Sequence, residues 1–294
     1  MIASKFDNFD SAQEPNKNIR RVLDIKEITC KSCLNKSKLT DYVINPYTGC
    51  EHSCKYCYAT FIRRFQNIKE KWGEFVYAKI NCPDLLEKEL EKAKPGNIFM
   101  SSVCDCYMPL ESKFKITRKI LEILAKPKFK DKFTIEILTK SSFVKRDFDL
   151  LNKLDCELGL SLGIIDDKIA EIIEPNASLP SERIETLKEA NEQGIKVYGF
   201  ISPVIPGLSD LDKTFSKLKE VGCDYVWVEL LNTKPSVLES LAPIIRSKFP
   251  EALSDIDYAI NNEEEYYKKK KEQILSLEKK YNLKVKEIVR HSKK

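Results

Sequence analysis

Histidine is almost absent from this sequence: the 294 residues contain two, His52 and His291. A hydrolase that relies on a histidine base, or a metal site built from several imidazoles, therefore has almost nothing to work with. The sequence also lacks an apolar run long enough for a signal peptide at its start or for a membrane span anywhere. We expect a cytoplasmic protein without a membrane partner, in a reducing compartment that disfavours disulfides among its ten cysteines.

The overall composition is ordinary for a soluble protein. Hydrophobic residues make up 42% and charged residues 32%, and no repeat or low-complexity segment is visible. The 50 lysines and arginines exceed the 45 acidic residues by five. Such a mild surplus permits nucleic-acid binding but does not require it.

Three cysteines lie within eight residues, with three and then two residues between Cys50, Cys54 and Cys57. Thiolates at this spacing on one loop can hold three corners of a cubane iron–sulfur cluster. A cluster that only carries electrons usually has four protein thiolates. The spacing therefore predicts a [4Fe-4S] cluster with one iron left open for chemistry.

A zinc ion is the alternative to an iron–sulfur cluster at this loop. His52 lies inside the first cysteine interval and can complete a closed tetrahedral site on paper. Zinc ribbons, however, bring two separated C-x2-C knuckles together, and no second knuckle follows here at the usual distance. The corresponding function is a zinc-dependent binding module without redox catalysis, and the iron–sulfur interpretation is favoured over it.

From residue 41 onward the sequence alternates strand-like and helix-like segments. Strands are predicted at residues 42–46, 74–80, 97–101, 133–139, 157–162, 195–201 and 225–230. Helices are predicted at residues 58–65, 83–93, 117–125, 146–154, 168–173 and 181–193. Six βα-like steps of this kind indicate a parallel sheet covered on both faces. They are too few to close a (β/α)8 barrel.

The cysteine loop, with the aromatic Tyr56 before its last cysteine, resembles the radical S-adenosylmethionine (radical SAM) superfamily. The resemblance implies an α/β fold, a partial (β/α)6 TIM-type barrel with its cofactors at the carboxyl ends of the strands. It also implies that the open iron binds S-adenosylmethionine (SAM) and that the reduced cluster cleaves it. The resulting 5'-deoxyadenosyl radical abstracts a substrate hydrogen, and a reductant such as ferredoxin or flavodoxin is the implied partner.

Further segments resemble the spore photoproduct lyase-like branch of that superfamily. They are residues 36–37, 45–59, 138–141, 173–175 and 203–208, within a match from about residue 30 to residue 231. The branch implies a lyase-like enzyme for nucleic-acid repair, such as reversal of a DNA lesion, or for nucleic-acid modification. Modification of RNA or of a peptide is the alternative within the same chemistry.

Five residues are implied as cofactor contacts by the same resemblance. Lys140 is expected to meet the carboxylate of SAM, since a cation there neutralises that charge. Asp105 is expected beside the methionine or ribose part of SAM. Ser161 and Ser202 are expected to contact ribose and adenine, with Tyr56 packed near the adenine.

The other paired cysteines are Cys30 with Cys33 and Cys104 with Cys106. Photoproduct lyases have a cysteine near the second pair that returns a hydrogen atom to the product radical, so Cys104 or Cys106 is a candidate catalytic donor. The two pairs can also be combined into an auxiliary metal site, and plain packing is equally open. Burial as small hydrophobic residues is expected for Cys82, Cys156 and Cys223.

The chain is predicted to have three regions. Residues 1–40 form an irregular N-terminal arm, residues 41–234 the barrel, and residues 235–294 a mainly helical extension. Glutamates in the extension precede lysines by four residues, which favours a helix with a solvated basic face over a nucleic-acid site.

Overall fold

Seven parallel strands and one antiparallel edge strand form the main sheet in a computed structural model, which describes residues 23–291. The strands along the chain are β1 (Asp24–Ile28), β2 (Asn35–Lys36), β3 (Tyr42–Ile44), β4 (Tyr47–Thr48), β5 (Phe75–Lys79), β6 (Gly96–Met100), β7 (Phe133–Thr139), β8 (Cys156–Ser161), β9 (Lys196–Val204), β10 (Tyr225–Leu230) and β11 (Lys284–Val289). The order in the main sheet is β11-β10-β9-β8-β7-β6-β3-β2. This open parallel sheet confirms the predicted α/β partial barrel.

Helices connect successive strands of the sheet. They are α1 (Ile62–Phe65), α2 (Cys82–Lys92), α3 (Glu111–Phe114), α4 (Ile116–Leu124), α5 (Phe148–Leu151), α6 (Asp167–Ile173), α7 (Pro180–Glu192), α8 (Leu211–Glu220), α9 (Pro235–Lys248), α10 (Leu253–Asn261) and α11 (Glu263–Tyr281). Among residues 23–291, no helix combines the length and the apolar character needed to cross a membrane.

The hydrophobic pattern explains why these segments form these elements. In β7 the side chains of Phe133, Ile135 and Ile137 alternate into the core, as period-2 patterning requires. In α4 the buried side chains of Ile120 and Leu124 lie one turn apart on a single face. Strands and amphipathic helices therefore bury their apolar faces against each other in one large core.

Some segments differ from the sequence prediction. The strand predicted at residues 74–80 is β5, but it belongs to a separate three-stranded sheet of order β1-β5-β4. The helices predicted at residues 58–65 and 146–154 begin as 3-10 turns, at Tyr58–Phe61 and Ser142–Asp147. Hydrophobic periodicity does not distinguish these tight turns from α-helix.

Both ends of the barrel contain strands that the sequence did not predict. Residues 1–22 of the predicted arm lie outside the described residues, whereas β1 and β2 occupy the following part. The region after residue 234 is mainly helical as expected, yet β11 pairs in parallel with β10. The extension thus adds a seventh parallel strand to the sheet.

Candidate active site

The cysteine loop lies between β4 and the 3-10 turn at Tyr58–Phe61, not directly after β3 as the sequence predicted. Gly49 precedes it with φ +85°, and a Cβ at that position would lie 2.4 Å from the carbonyl oxygen of Phe75. Only glycine combines this left-handed backbone with such a close approach. Within the loop, the Lys55 amide donates to the Ile173 carbonyl at 2.9 Å. These contacts fix the loop between β5 and the end of α6.

The environment of the three thiols fits a thiolate-ligated cluster. Burial raises the pKa of Cys50 well above its ordinary value, and the charges of Asp105, Cys54 and Cys57 raise it further. Burial also raises the pKa of Cys54, and it raises that of Cys57 to about 11, while the positive charge of Lys140 opposes both shifts. Of these effects, the positive charge of Lys140 is the one that suits metal binding, because it favours the deprotonated form of Cys54 and Cys57 that an iron ligand requires.

The side chains of the cysteine loop are not arranged as a site for a single zinc ion. Among residues 23–291, no three histidine, cysteine or acidic side chains converge on a point that suits one metal ion. A cubane cluster does not need such convergence, because each thiolate binds a different iron. The imidazole of His52, the proposed fourth zinc ligand, is buried with its Nδ1 3.4 Å from Asp105 Oδ2.

Asp105 connects three segments of the site. Its Oδ1 accepts hydrogen bonds from the amide of Tyr107 at 2.9 Å and from the hydroxyl of Thr139 at 2.7 Å. Its Oδ2 accepts from the amide of Lys140 at 2.8 Å and faces His52. Burial alone would raise the pKa of Asp105, but His52 and these hydrogen bonds hold it well below its usual range. Both oxygens are thus engaged by the protein, and contact with the cofactor stays a prediction.

Lys140 follows β7 and lies at the cysteine loop. Its Nζ is 5.6 Å from the ring centroid of Tyr56, within cation–π range. The Tyr56 hydroxyl donates to the buried carboxylate of Glu174, which forms an ion pair with the fully buried Arg183. The ring of Tyr56 is therefore held in place next to a cation. Its contact with adenine and the contact of Lys140 with the SAM carboxylate stay predictions.

The two predicted serines lie on neighbouring strands and have protein partners. The Ser161 hydroxyl donates to the carbonyl of Ser202 at 3.0 Å, and the Ser202 hydroxyl donates to the carboxylate of Glu229. Glu229 also faces His291, whose Nε2 is 2.7 Å from its Oε1. Sequence reasoning missed this pair, although a glutamate inside the apolar strand β10 was a visible signal. The cofactor contacts of the serines stay predictions.

The structure contradicts the auxiliary metal site, which was one of the alternatives left open for the two cysteine pairs. Cys33 forms a disulfide with Cys82, with their Cα atoms 5.0 Å apart, so its sulfur is not available as a ligand. The same bond means that Cys82 is buried as a disulfide partner and not as a free thiol. The expected burial of Cys156 and Cys223 as free thiols is confirmed.

The two candidate hydrogen donors occupy different environments. Cys106 is 0% exposed within the hydrophobic core. Cys104 is half-buried, with its Sγ 3.7 Å from Asn45 Oδ1. Burial raises the pKa of Cys104 to about 11, and Asp105 contributes to this shift. Cys104 is therefore a protonated thiol, the form that hydrogen donation requires, and the donor role stays a prediction.

Comparison with solved structures shows the fold. Spore photoproduct lyase, in a complex with its dinucleoside spore photoproduct, matches with a TM-score of 0.56 at 17% identity, over 78% of this chain and 67% of that chain. A mutant of the same lyase with bound AdoMet and the dinucleoside matches equally well. This chain spans about two thirds of the length of the lyase.

Comparison with sequences shows the family. An uncharacterized protein of Methanocaldococcus jannaschii is 36% identical over 272 residues, 92% of this chain and 98% of the relative. An uncharacterized protein of Acidianus two-tailed virus is 30% identical over 70% of this chain and 72% of its own length. The family model of the radical SAM superfamily matches residues 44–218, which include the cysteine loop and Lys140. The chain therefore belongs to the radical SAM superfamily.

Proposed function

We propose that this protein holds a [4Fe-4S] cluster through Cys50, Cys54 and Cys57, binds SAM at the same site, and abstracts hydrogen from a nucleic-acid substrate. One observation carries the proposal: Cys50, Cys54 and Cys57 share one loop, and Lys140, directly after the carboxyl end of β7, has its Nζ 5.6 Å from the ring of Tyr56 in that loop. Family membership supports the cofactors, since radical SAM enzymes use both.

The bound cofactors supply one-electron cleavage of a carbon–sulfur bond and hydrogen abstraction, while the protein supplies binding and orientation. Lys140 provides a charge for a carboxylate, and Asp105 holds its backbone amide in place. Tyr56 offers a ring face that Glu174 prevents from turning. Cys50, His52 and Tyr56 are buried, which limits the access of water to this part of the loop.

A DNA lesion is the proposed type of substrate, and repair by a lyase-like reaction is the proposed outcome. The shared fold with spore photoproduct lyase, whose solved structures include a bound dinucleoside photoproduct, supports this choice. The half-buried thiol of Cys104 supports a donor that returns a hydrogen atom to the product radical, and it lies two residues after Ser102, whose carbonyl accepts the Tyr58 hydroxyl. The thiyl radical left on Cys104 would be reduced to the thiol by one electron from the reductant and a proton. A ferredoxin or flavodoxin is the proposed source of electrons.

The test of the cofactor assignment compares two cysteine variants after anaerobic reconstitution. Cys54→Ala should lose the iron, the sulfide and the reductive cleavage of SAM, because one of three thiolate ligands is removed. Cys223→Ala, a buried cysteine in the turn before β10, is the matched control and should retain all three. Full SAM cleavage by Cys54→Ala, or a colourless wild-type protein that holds zinc, would overturn the assignment.

The substrate is tested by isotope transfer. Deuterated DNA containing ultraviolet photoproducts is incubated with the reconstituted protein, SAM and dithionite. Deuterium in the recovered 5'-deoxyadenosine supports a DNA substrate. Transfer from deuterated RNA or peptide, with none from DNA, would contradict it.

A further inference from the structure

Three exposed aromatic side chains follow directly after the last cysteine of the loop. Tyr58, Phe61 and Phe65 are 47%, 41% and 85% exposed, and no other large aromatic side chain among residues 23–291 is exposed. The rings of Tyr58 and Phe61 stack at 6.5 Å between centroids, and those of Phe61 and Phe65 meet edge to face at 5.8 Å. These three side chains form a continuous aromatic ridge.

The segment that carries the aromatic ridge, residues 55–71, is rich in basic residues. Residues 55–71 contain one acidic residue, Glu70, and five basic residues: Lys55, Arg63, Arg64, Lys69 and Lys71. The side chains of Arg64, Lys69 and Lys71 are exposed, and none has an ion-pair partner within the part of the chain that the structure describes. Arg63 stabilises the segment, since its Nη2 donates to the Lys69 carbonyl at 3.0 Å.

One end of the ridge lies at the candidate site. Tyr58 is bonded to Cys57 in the chain, and its hydroxyl donates to the Ser102 carbonyl on the loop that carries Cys104. The other end, Phe65, is the most exposed of the three rings. A ligand that lies along the ridge therefore has one end beside the cysteine loop and the other in solvent.

Stacked aromatic rings flanked by cations form the usual binding surface for single-stranded nucleic acids. Bases stack on the rings irrespective of sequence, and the cations follow the phosphates. A small acidic electron-transfer protein would use the cations but would gain little from a row of stacked rings. We propose that the aromatic ridge and its flanking cations bind single-stranded DNA next to the active site, an inference that rests on the proposed nucleic-acid substrate.

Fluorescence anisotropy with a labelled oligodeoxythymidylate tests the ridge in the reconstituted protein. Phe61→Ala and Phe65→Ala should each weaken binding by about 5- to 150-fold, the equivalent of one lost stacking contact. Leu275→Ala, on α11 with 38% exposure, removes an exposed apolar side chain outside the ridge and should leave the affinity unchanged. Thermal unfolding monitored by circular dichroism verifies that each variant is folded.

A second measurement addresses the cations without altering the aromatic rings. Arg64→Gln and Lys71→Gln should each reduce the slope of log affinity against log salt by about 0.7, the value for one phosphate contact with a single strand. Wild-type slopes retained in both variants would contradict a role for these cations. Because these residues are exposed, neither change disturbs the core.

The outcomes separate this inference from the proposed function. Loss of SAM cleavage driven by ferredoxin or flavodoxin in the Phe variants, with DNA binding intact, would overturn the inference and identify the ridge as an electron-donor surface. Wild-type protein that cleaves SAM but binds no oligonucleotide would also overturn it, while leaving the cofactor chemistry in place. Absence of SAM cleavage in the wild type would instead refute the proposed function.

Discussion

Asp105→Asn is the most informative single change, because it alters one atom of the carboxylate that joins the cysteine loop to β7. In the wild type, Oδ2 accepts the amide of Lys140 at 2.8 Å and faces the imidazole of His52 at 3.4 Å. In the variant the amide NH2 group takes that position, and a donor faces a donor. If the asparagine side chain rotates by 180° instead, its NH2 group faces the amide of Tyr107 and the hydroxyl of Thr139, which are also donors.

The expected loss of stability follows from these contacts. One hydrogen bond to a charged acceptor contributes about 1.5–3 kcal/mol, and a buried amide left without a partner costs about 1–3 kcal/mol. We therefore expect Asp105→Asn to lower the free energy of unfolding by about 3–5 kcal/mol. Asp149→Asn is the control, since Asp149 pairs with Arg118 at the surface and is half exposed. A surface pair of this kind contributes about 0–1 kcal/mol.

Urea unfolding of both variants measures these differences, and iron content after anaerobic reconstitution measures the effect on the loop. The folded pKa of Asp105 lies below the unfolded value of about 3.9, so its contribution is present above that pH and is lost as the pH falls through the folded pKa. The gap between wild type and Asp105→Asn should narrow accordingly on acidification. A difference below about 1 kcal/mol at neutral pH, with unchanged iron content, would refute the reasoning.

Three further predictions concern the cofactor site. Lys140→Ala should weaken SAM binding by about 10- to 100-fold with the iron content unchanged, because a charge-assisted contact is lost; equilibrium binding with an unchanged affinity would count against it. Half-buried Cys104 should react with maleimide in the native protein, and its reaction rate should rise about tenfold per pH unit up to its pKa of about 11. Buried Cys106 should react only after unfolding, and peptide mass spectrometry distinguishes the two thiols. Trp72→Phe should make the cluster's reduction potential more negative, because the indole N–H of Trp72 acts as a hydrogen-bond donor that lowers the pKa of Cys57, and a donor to a cluster thiolate favours the reduced state; a redox titration that shows no shift would exclude this.

Periodicity was sufficient to predict most of the barrel. The strands predicted at residues 133–139 and 225–230 from their hydrophobic pattern are β7 and β10, with the same bounds. It did not predict β11, whose residues 284–289 alternate only weakly and follow a long charged helix. The pairing of β11 with β10 depends on the tertiary fold, which a local pattern does not contain.

The site was predictable in its composition but not in its internal contacts. Cysteine spacing predicted Cys50, Cys54 and Cys57 as the cluster ligands, and this assignment stays a prediction. The partners of Asp105 come from positions as far apart as His52 and Lys140. Likewise, the disulfide of Cys33 joins residues 49 apart in sequence, and nothing in the local sequence marks its partner.

The strand β11 protects one edge of the main sheet against aggregation. An open parallel sheet ends in two edge strands whose unpaired amides and carbonyls can recruit another chain. Here one edge is β2, only two residues long, and the other is β11, which carries Lys284 and Lys286. Short strands and lysines are common protections of such edges. Loss of β11 would expose β10, a strand rich in aromatic and β-branched residues, and would leave the barrel prone to edge-to-edge association.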